Sequence, residues 1–306
     1  MTRVEVRFLG TSAAIPTPKR AHPSIYFRYV GRAEYVMLFD CGEGTQRQIF
    51  KCGENFMRIS KIFITHWHAD HFAGVLGLVE SMSLEKRRGP LEIYAPEAEK
   101  FVPMILNLGY GIRSFPVRYY DVPFRGSEIS VVVDEEEYQI LSIPVKHGIP
   151  AVSYCFLEKD RLKIDKEKAL RLGLPKQSKL YKVLKEKGRI VYKGSEIKLE
   201  DVCRVEKGKK IVYSGDTEAC RNLVKISKDA DLLILDCTYF EELEERNHMN
   251  FKQAVEIAKR SGAKRVVLTH ISRRYQNESE LEKIIEKYRG ETEIKLAKDF
   301  MKVVIE

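Results

Sequence analysis

Thr65-His66-Trp67-His68-Ala69-Asp70-His71 follows directly on the apolar run Lys61-Ile62-Phe63-Ile64. Imidazoles and a carboxylate crowded behind a strand make poor packing material, because each polar group needs a partner once it is buried. A short loop after a strand points His66 and His68 the same way at i, i+2, and the turn into a following helix aims Asp70 and His71 at an adjacent point. Neutral imidazoles and carboxylates are donors that zinc prefers, so this segment is suited to give two neighbouring ions two ligands each.

Outward from this stretch, apolar runs of strand length alternate with helical spacings. Upstream, Val4-Glu5-Val6-Arg7-Phe8-Leu9 has period two, and Ser24-Ile25-Tyr26-Phe27-Arg28-Tyr29 and Tyr35-Val36-Met37-Leu38-Phe39 read as further strands. Downstream, residues 72–82 carry helical spacing, 91–95 a strand, 98–108 a second helix, and 117–156 a β-rich stretch turning at Asp134-Glu135-Glu136-Glu137. From 160 to 209 the composition becomes Lys-rich and sparsely apolar, with Gly173, Pro175, Gly188 and Gly194 as breakers. This is the pattern of an arm inserted into an otherwise single domain, residues 1–306. Beyond it, 211–214, 232–235 and 265–269 read as buried strands and 251–260 as a helix; a helix near 279–288 and a strand near 302–305 close the chain. Strand clusters followed by helices in both halves predict an α/β fold of two face-to-face sheets with helices outside.

Two ions need more ligands than one segment supplies. His147 follows Ile143-Pro144-Val145-Lys146, Asp216 follows Tyr213-Ser214-Gly215, and His270 follows Val266-Val267-Leu268-Thr269. Each is a titratable group where a buried strand emerges. Taken singly these are ordinary loop residues; beside the first cluster they become candidate ligands.

Composition narrows the rest. The 306 residues, 44% apolar, suffice to bury a large core and argue against disorder. No run of about 18 apolar residues occurs, and the N-terminus leads straight into a strand, so neither a membrane span nor a signal peptide is expected and the reading is cytoplasmic. The six cysteines are scattered without a C-x-x-C pair, which points to reduced core residues and away from a structural zinc site. The formal charge of +9, with 53 Lys+Arg against 44 Asp+Glu, favours a polyanion such as RNA as partner.

The ligand motifs occur in the order H-x-H-x-D-H, His, Asp, His, and in this the chain resembles the metallo-β-lactamase superfamily. Within it the sequence resembles ribonuclease Z. That likeness is carried by Phe8-Leu9-Gly10-Thr11 with Pro16-Thr17, by Asp40-Cys41-Gly42-Glu43-Gly44-Thr45-Gln46-Arg47-Gln48, and by Ser272-Arg273-Arg274-Tyr275 after His270. It implies a four-layer αβ/βα sandwich with metals at the strand ends between the sheets. It further implies two Zn2+ per subunit, one on His66, His68 and His147, the other on Asp70, His71 and His270, with Asp216 bridging. Asp70 would also orient or deprotonate the attacking water. His248, in Asn247-His248-Met249-Asn250, aligns with the family's general acid, and Asp236, in Leu235-Asp236-Cys237-Thr238, with the carboxylate that orients it. Family members often carry His-Glu-Ala-Thr and His-Ser-Thr at these two places, so both motifs depart from the pattern here.

The same resemblance implies removal of the 3′ trailer from precursor tRNA by a homodimer, with the inserted arm holding the tRNA. Lys176, Lys179 and Lys182, within a run that continues to Lys185 and Lys187, are the candidate arm contacts; the Gly-Pro of the family pattern is missing there. Arg273 or Arg274 is suited to clamp a phosphate with paired donors. His22 takes no metal role, and its loop is a candidate contact for the RNA end. Two other readings stay open at this point: a hydrolase or phosphodiesterase of the same fold acting on a small substrate, and a non-catalytic tRNA-binding protein.

Overall fold

Alternation along the strands sorts side chains onto two faces, and in the central strands both faces are covered. The computed structural model describes residues 2–109, 111, 113–175, 178–242, 247–288 and 292–306. The first strands are β1 (Arg3–Gly10), β2 (Ser24–Val30), β3 (Glu34–Phe39), β4 (Ile59–Phe63), β5 (Leu91–Ala95) and β6 (Val117–Asp121). Next come β7 (Ser130–Asp134), β8 (Tyr138–Pro144) and β9 (Val152–Glu158), then four short strands, β10 (Arg161–Ile164), β11 (Arg189–Tyr192), β12 (Ser195–Lys198) and β13 (Cys203–Glu206). The chain ends with β14 (Lys210–Tyr213), β15 (Leu232–Asp236), β16 (Arg265–Thr269), β17 (Glu293–Leu296) and β18 (Lys302–Ile305).

Two compact units result, Met1–Leu157 with Lys210–Glu306, and Glu158–Lys209. In the larger unit one sheet has the order β18-β1-β2-β3-β4-β5-β6 and the other β17-β16-β15-β14-β9-β8-β7. Val4, Val6, Phe8, Phe27, Met37, Phe39 and Phe63 from the first sheet share one core with Tyr154, Phe156, Ile211, Ile234 and Val267 from the second. Aromatic pairs cross that core, Phe27 to Phe156 at 4.8 Å and Phe63 to Tyr154 at 5.4 Å between ring centroids. The alternate residues Tyr26, Val36, Leu38 and Ile62 face outward onto Ile49, Leu78, Val79 and Val102 of the helices Thr45–Lys51, Val75–Leu84 and Ala98–Leu106. Leu233, Leu235, Val266 and Leu268 likewise meet Leu223, Ala254, Ile257 and Leu281 of the helices Arg221–Ser227, Phe251–Ser261 and Glu278–Glu286. Strands covered on both faces must be apolar throughout, which is why β3 from Val36 on, β15 up to Asp236 and β16 after Arg265 lack a polar side.

From β3 to β6, and again from β14 to β17, neighbouring strands run parallel. Parallel strands deliver their loops at their C-terminal ends, where α/β sheets form their sites. The helix expected over 72–82 is split. A short helix Ala69–Phe72 precedes Val75–Leu84. At the break a Cβ on Gly74 would lie 2.2 Å from the Gly42 carbonyl oxygen, so two loops meet there at backbone distance.

The smaller unit has a core of its own, formed by Ala169, Leu174, Leu184, Ile190, Ile197 and Val202. Around it are the pairs β10–β13 and β11–β12 and the helices Lys166–Arg171, Leu180–Lys187 and Leu199–Val202. In the larger unit Leu157 pairs with Lys210 across β9 and β14, and in the smaller Glu158 N donates to the Lys209 carbonyl at 2.9 Å. All six cysteines are free. No helix among the described residues is long and apolar enough to cross a membrane.

Candidate metal centre

His66 and His68 lie just beyond β4, His147 beyond β8, Asp216 beyond β14 and His270 beyond β16, while Asp70 and His71 sit in the short helix Ala69–Phe72. Strand ends from both sheets thus converge. His66, His68 and His147 present ligand atoms within 4.8 Å of one another, as do Asp70, His71 and His270; Asp216 groups in the same way with His66 and His71.

The ring hydrogen bonds fix how each imidazole faces this centre. His71 Nδ1 donates to Asp40 Oδ2 at 2.7 Å. Because Thr65 and Thr238 give their hydroxyl protons to Asp40 and Asp236, their oxygens accept from His66 Nδ1 (3.0 Å) and His270 Nδ1 (2.8 Å). His147 Nδ1 donates to the Asn247 carbonyl at 2.8 Å. With every Nδ1 engaged outward, Nε2 of each of these rings is the nitrogen left to face inward, the orientation that metal ligation requires.

Several inward atoms have no adequate partner among the described residues. His71 Nε2 and His270 Nε2 are buried without a hydrogen bond, although each lies 3.2 Å from Asp216 Oδ2. His66 Nε2 and His147 Nε2 approach the same atom, His68 Nδ1, at 3.0 and 3.1 Å, and that atom has one proton at most. Asp216 is 3% exposed; burial pushes its pKa up, yet His270 and His71 outweigh this and hold it well below the usual carboxylate range. Burial pushes His71 down, but Asp216 and Asp40 outweigh it and hold His71 well above the ordinary imidazole range. For His66, burial prevails, helped by His71, and its pKa falls well below the usual value. Buried anions beside inward-facing ring nitrogens call for cations, and the donor set of imidazole nitrogens and carboxylate oxygens fits zinc.

Asp236, though grouped by proximity with Asp216, His248 and His270, is already engaged. Its oxygens accept from Thr217 N (3.1 Å), Thr238 N (2.9 Å), Thr238 Oγ1 (2.7 Å) and His248 Nδ1 (3.0 Å). His248 stacks on His270 with ring centroids 5.2 Å apart, and its Nδ1 is 3.9 Å from Asp216 Oδ2. Burial lowers the His248 pKa, but Asp236 and then Asp216 more than offset this and raise it to about 9. Arg274 lies over the Tyr239 ring at 4.9 Å, and that ring meets His248 edge-on at 6.3 Å. Arg273 is exposed in the same loop. Lys179 and Lys182 belong to the smaller unit, the first capping and the second within the helix Leu180–Lys187; Lys176 lies outside the described residues.

Asp40 stands in a family-like stretch of the sequence, but nothing in that stretch alone gives it a role. Fully buried at φ 57°, it accepts from Thr65 N (2.8 Å), Thr65 Oγ1 (3.0 Å), His71 Nδ1 (2.7 Å) and Tyr213 OH (2.8 Å), the last from the opposite sheet. Its position at a strand end, like that of Asp216, was the available signal. Asp40→Ala strands those donors in a dry site and is expected to lower unfolding free energy by about 3–5 kcal/mol in urea titration.

Residues 185–271 match the beta-lactamase superfamily domain and residues 4–102 the anti-Pycsar protein Apyc1 family. The chain is 42% identical over 277 residues to ribonuclease Z of Pyrococcus abyssi (strain GE5 / Orsay), covering 89% of this chain and 87% of the relative. It is 38% identical over 309 aligned positions to ribonuclease Z of Methanococcus maripaludis (strain C5 / ATCC BAA-1333), covering 97% and 96%. Among solved structures, human tRNase Z, short form, superposes with a TM-score of 0.66 at 29% identity over 98% of both chains.

Proposed function

The chain belongs to the ribonuclease Z family and is a tRNA 3′-processing endoribonuclease; from that premise we propose that it uses two zinc ions per subunit and leaves a 3′-hydroxyl on the tRNA and a 5′-phosphate on the trailer. Its layers are those of the metallo-β-lactamase fold, which together with the family implies a divalent metal. His66, His68 and His147 would hold one ion and Asp70, His71 and His270 the other, with Asp216 between them. When bound, such a pair supplies a water ionised near neutral pH and offsets charge on the phosphate oxygens.

The chain's own residues do the rest. Burial raises the Asp70 pKa, but His270 and His71 outweigh it and leave this carboxylate well below its usual range, which suits a ligand and a hydrogen-bond acceptor that orients the attacking water better than a proton acceptor. The attacking water, having released one proton to solvent on ionising, would bond through its oxygen to phosphorus as the bond to the ribose 3′-oxygen breaks in line, and His248 would give its proton to that leaving oxygen. Asp236 turns His248 toward it and keeps the imidazolium populated. The observation that carries this reading is the hydrogen-bonded His248–Asp236 pair beside the metal-ligand groups: metal ligands alone would equally serve a hydrolase of small molecules. Lys179 and Lys182, with Lys176, hold the tRNA by phosphate contacts, and Arg274 or Arg273 holds a phosphate near the cut. Six free cysteines suit a reducing, cytoplasmic setting, and the family resemblance supports a homodimer as the active form proposed here.

Cleavage of precursor tRNA should stop on chelation and return on adding zinc, with about two zincs bound per chain by elemental analysis. Replacing the arm lysines should weaken precursor tRNA binding while sparing hydrolysis of bis(p-nitrophenyl) phosphate. Equal losses on both substrates would remove the arm from the reading, and full cleavage in the metal-free protein would end it altogether.

A further inference from the structure

The loop from Thr11 to His22 carries the family-like Pro16-Thr17 and the end of Phe8-Leu9-Gly10-Thr11, yet none of its side chains belongs to the ligand set. Its backbone nevertheless reaches that set: Ala14 N donates to Asp70 Oδ2 at 3.0 Å. Ala14 does so at φ 50°, a left-handed conformation that an alanine keeps only where its surroundings over-determine it. On the other side of the same residue, His22 Nε2 donates to the Ala14 carbonyl at 3.2 Å.

What over-determines the loop is a knot of buried polar groups. The Arg20 guanidinium is 4% exposed and is met on three sides, by Thr11 Oγ1 (2.6 Å), the Ala297 carbonyl (2.7 Å) and Glu278 Oε1 (2.9 Å). Asp299 closes the knot, accepting from Thr11 Oγ1 (2.8 Å), Ala21 N (2.8 Å) and Gln48 Nε2 (3.0 Å). Ser12 N to the Ala21 carbonyl (2.9 Å) and Ala13 N to the Ile271 carbonyl (3.0 Å) tie the rest of the loop to itself and to the residue after His270. A buried guanidinium with fixed, planar donors tolerates little displacement of its partners, so the position of Ala14 is set from both ends of the loop. Asp70 Oδ2 lies 3.5 Å from both His71 Nε2 and His270 Nε2 and takes a main-chain hydrogen bond from Ala14.

We propose that the Ala14 amide is an outer-sphere donor holding Asp70 in its ligating pose, and that Arg20 and Asp299 are positioning residues that fix this amide. The inference rests on the zinc-site reading above. Thr11, Arg20, Gln48 and Asp299, spread over the two ends of the chain, then act together to set the orientation of one ligand of one ion.

The direct test replaces Ala14 by lactic acid in the full-length chain, exchanging only its N–H for an ester oxygen; Arg20→Met and Asp299→Asn accompany it. Zinc titration against a competing chelator should show one of two binding midpoints weakened by about 10–100-fold in each protein, with the other unchanged. At saturating zinc the KM for precursor tRNA should not move. Unshifted zinc midpoints in the ester protein overturn the inference whether or not the side-chain variants fold. A raised KM with unshifted zinc midpoints does so too, since the loop would then be touching RNA. Absence of zinc from the unmodified protein would instead overturn the metal-site reading on which the inference stands.

Discussion

Asp216→Ala is expected to leave the protein unable to retain its zinc pair and to reduce precursor tRNA cleavage to background. Asp216 Oδ2 lies 3.2 Å from both His71 Nε2 and His270 Nε2 and 3.7 Å from His66 Nε2, so one side chain faces ligands of both proposed ions. Without its charge, two cations would be held next to each other with nothing between them but water. A metal pair supplies several kcal/mol of transition-state stabilisation, so its loss costs about a thousandfold or more in kcat. Elemental analysis and single-turnover cleavage read the two effects together. An Asp216→Ala protein with a full metal complement and rapid cleavage would show that the bridge is assigned to the wrong group.

His248→Ala should behave differently, slowing cleavage by about 10²- to 10⁴-fold while leaving zinc content unchanged. The ring is bound to Asp236 through Nδ1 at 3.0 Å, which leaves Nε2 as the nitrogen to give a proton, and His248 is outside the proposed ligand set. Its removal takes away a proton donor without opening the metal sphere. The loss should shrink on a substrate whose leaving group needs no proton, such as bis(p-nitrophenyl) phosphate, because nitrophenolate departs unaided. Loss of zinc in this variant would make His248 a ligand, and equal loss on both substrates would make it a general contact.

The parts of the molecule legible in the sequence are those whose reason is local. Buried parallel strands such as Leu232–Asp236 and Arg265–Thr269 are apolar on both faces and read as uninterrupted runs. The candidate ligand histidines stood out because imidazoles behind a strand have no packing value. Features set by distant contacts were hidden. Asp40 acquires its role from Tyr213, 173 residues away. The break before Val75–Leu84 comes from the close approach of Gly74 to Gly42 and not from any helix breaker with a side chain. Arg189–Tyr192 and Ser195–Lys198 bury one residue each, Ile190 and Ile197, which is too little for a period to appear in so polar a stretch. Arg20, in a loop rich in proline and basic residues, has the sequence context of a solvent-facing cation, and only the fold brings Thr11, Ala297 and Glu278 around it.

The pairing of Leu157 with Lys210 has an evolutionary corollary. The chain departs from and rejoins the sheet at adjacent positions, so the 158–209 excursion occupies the place of an ordinary hairpin turn. A lineage could trim, lengthen or graft that excursion without shifting the register of a single strand in the parent scaffold. On the proposed reading of this excursion as the tRNA-holding arm, selection on what the enzyme grips and selection on how it cuts could then proceed on separate stretches of gene, the first tolerant of wholesale replacement and the second confined to point changes.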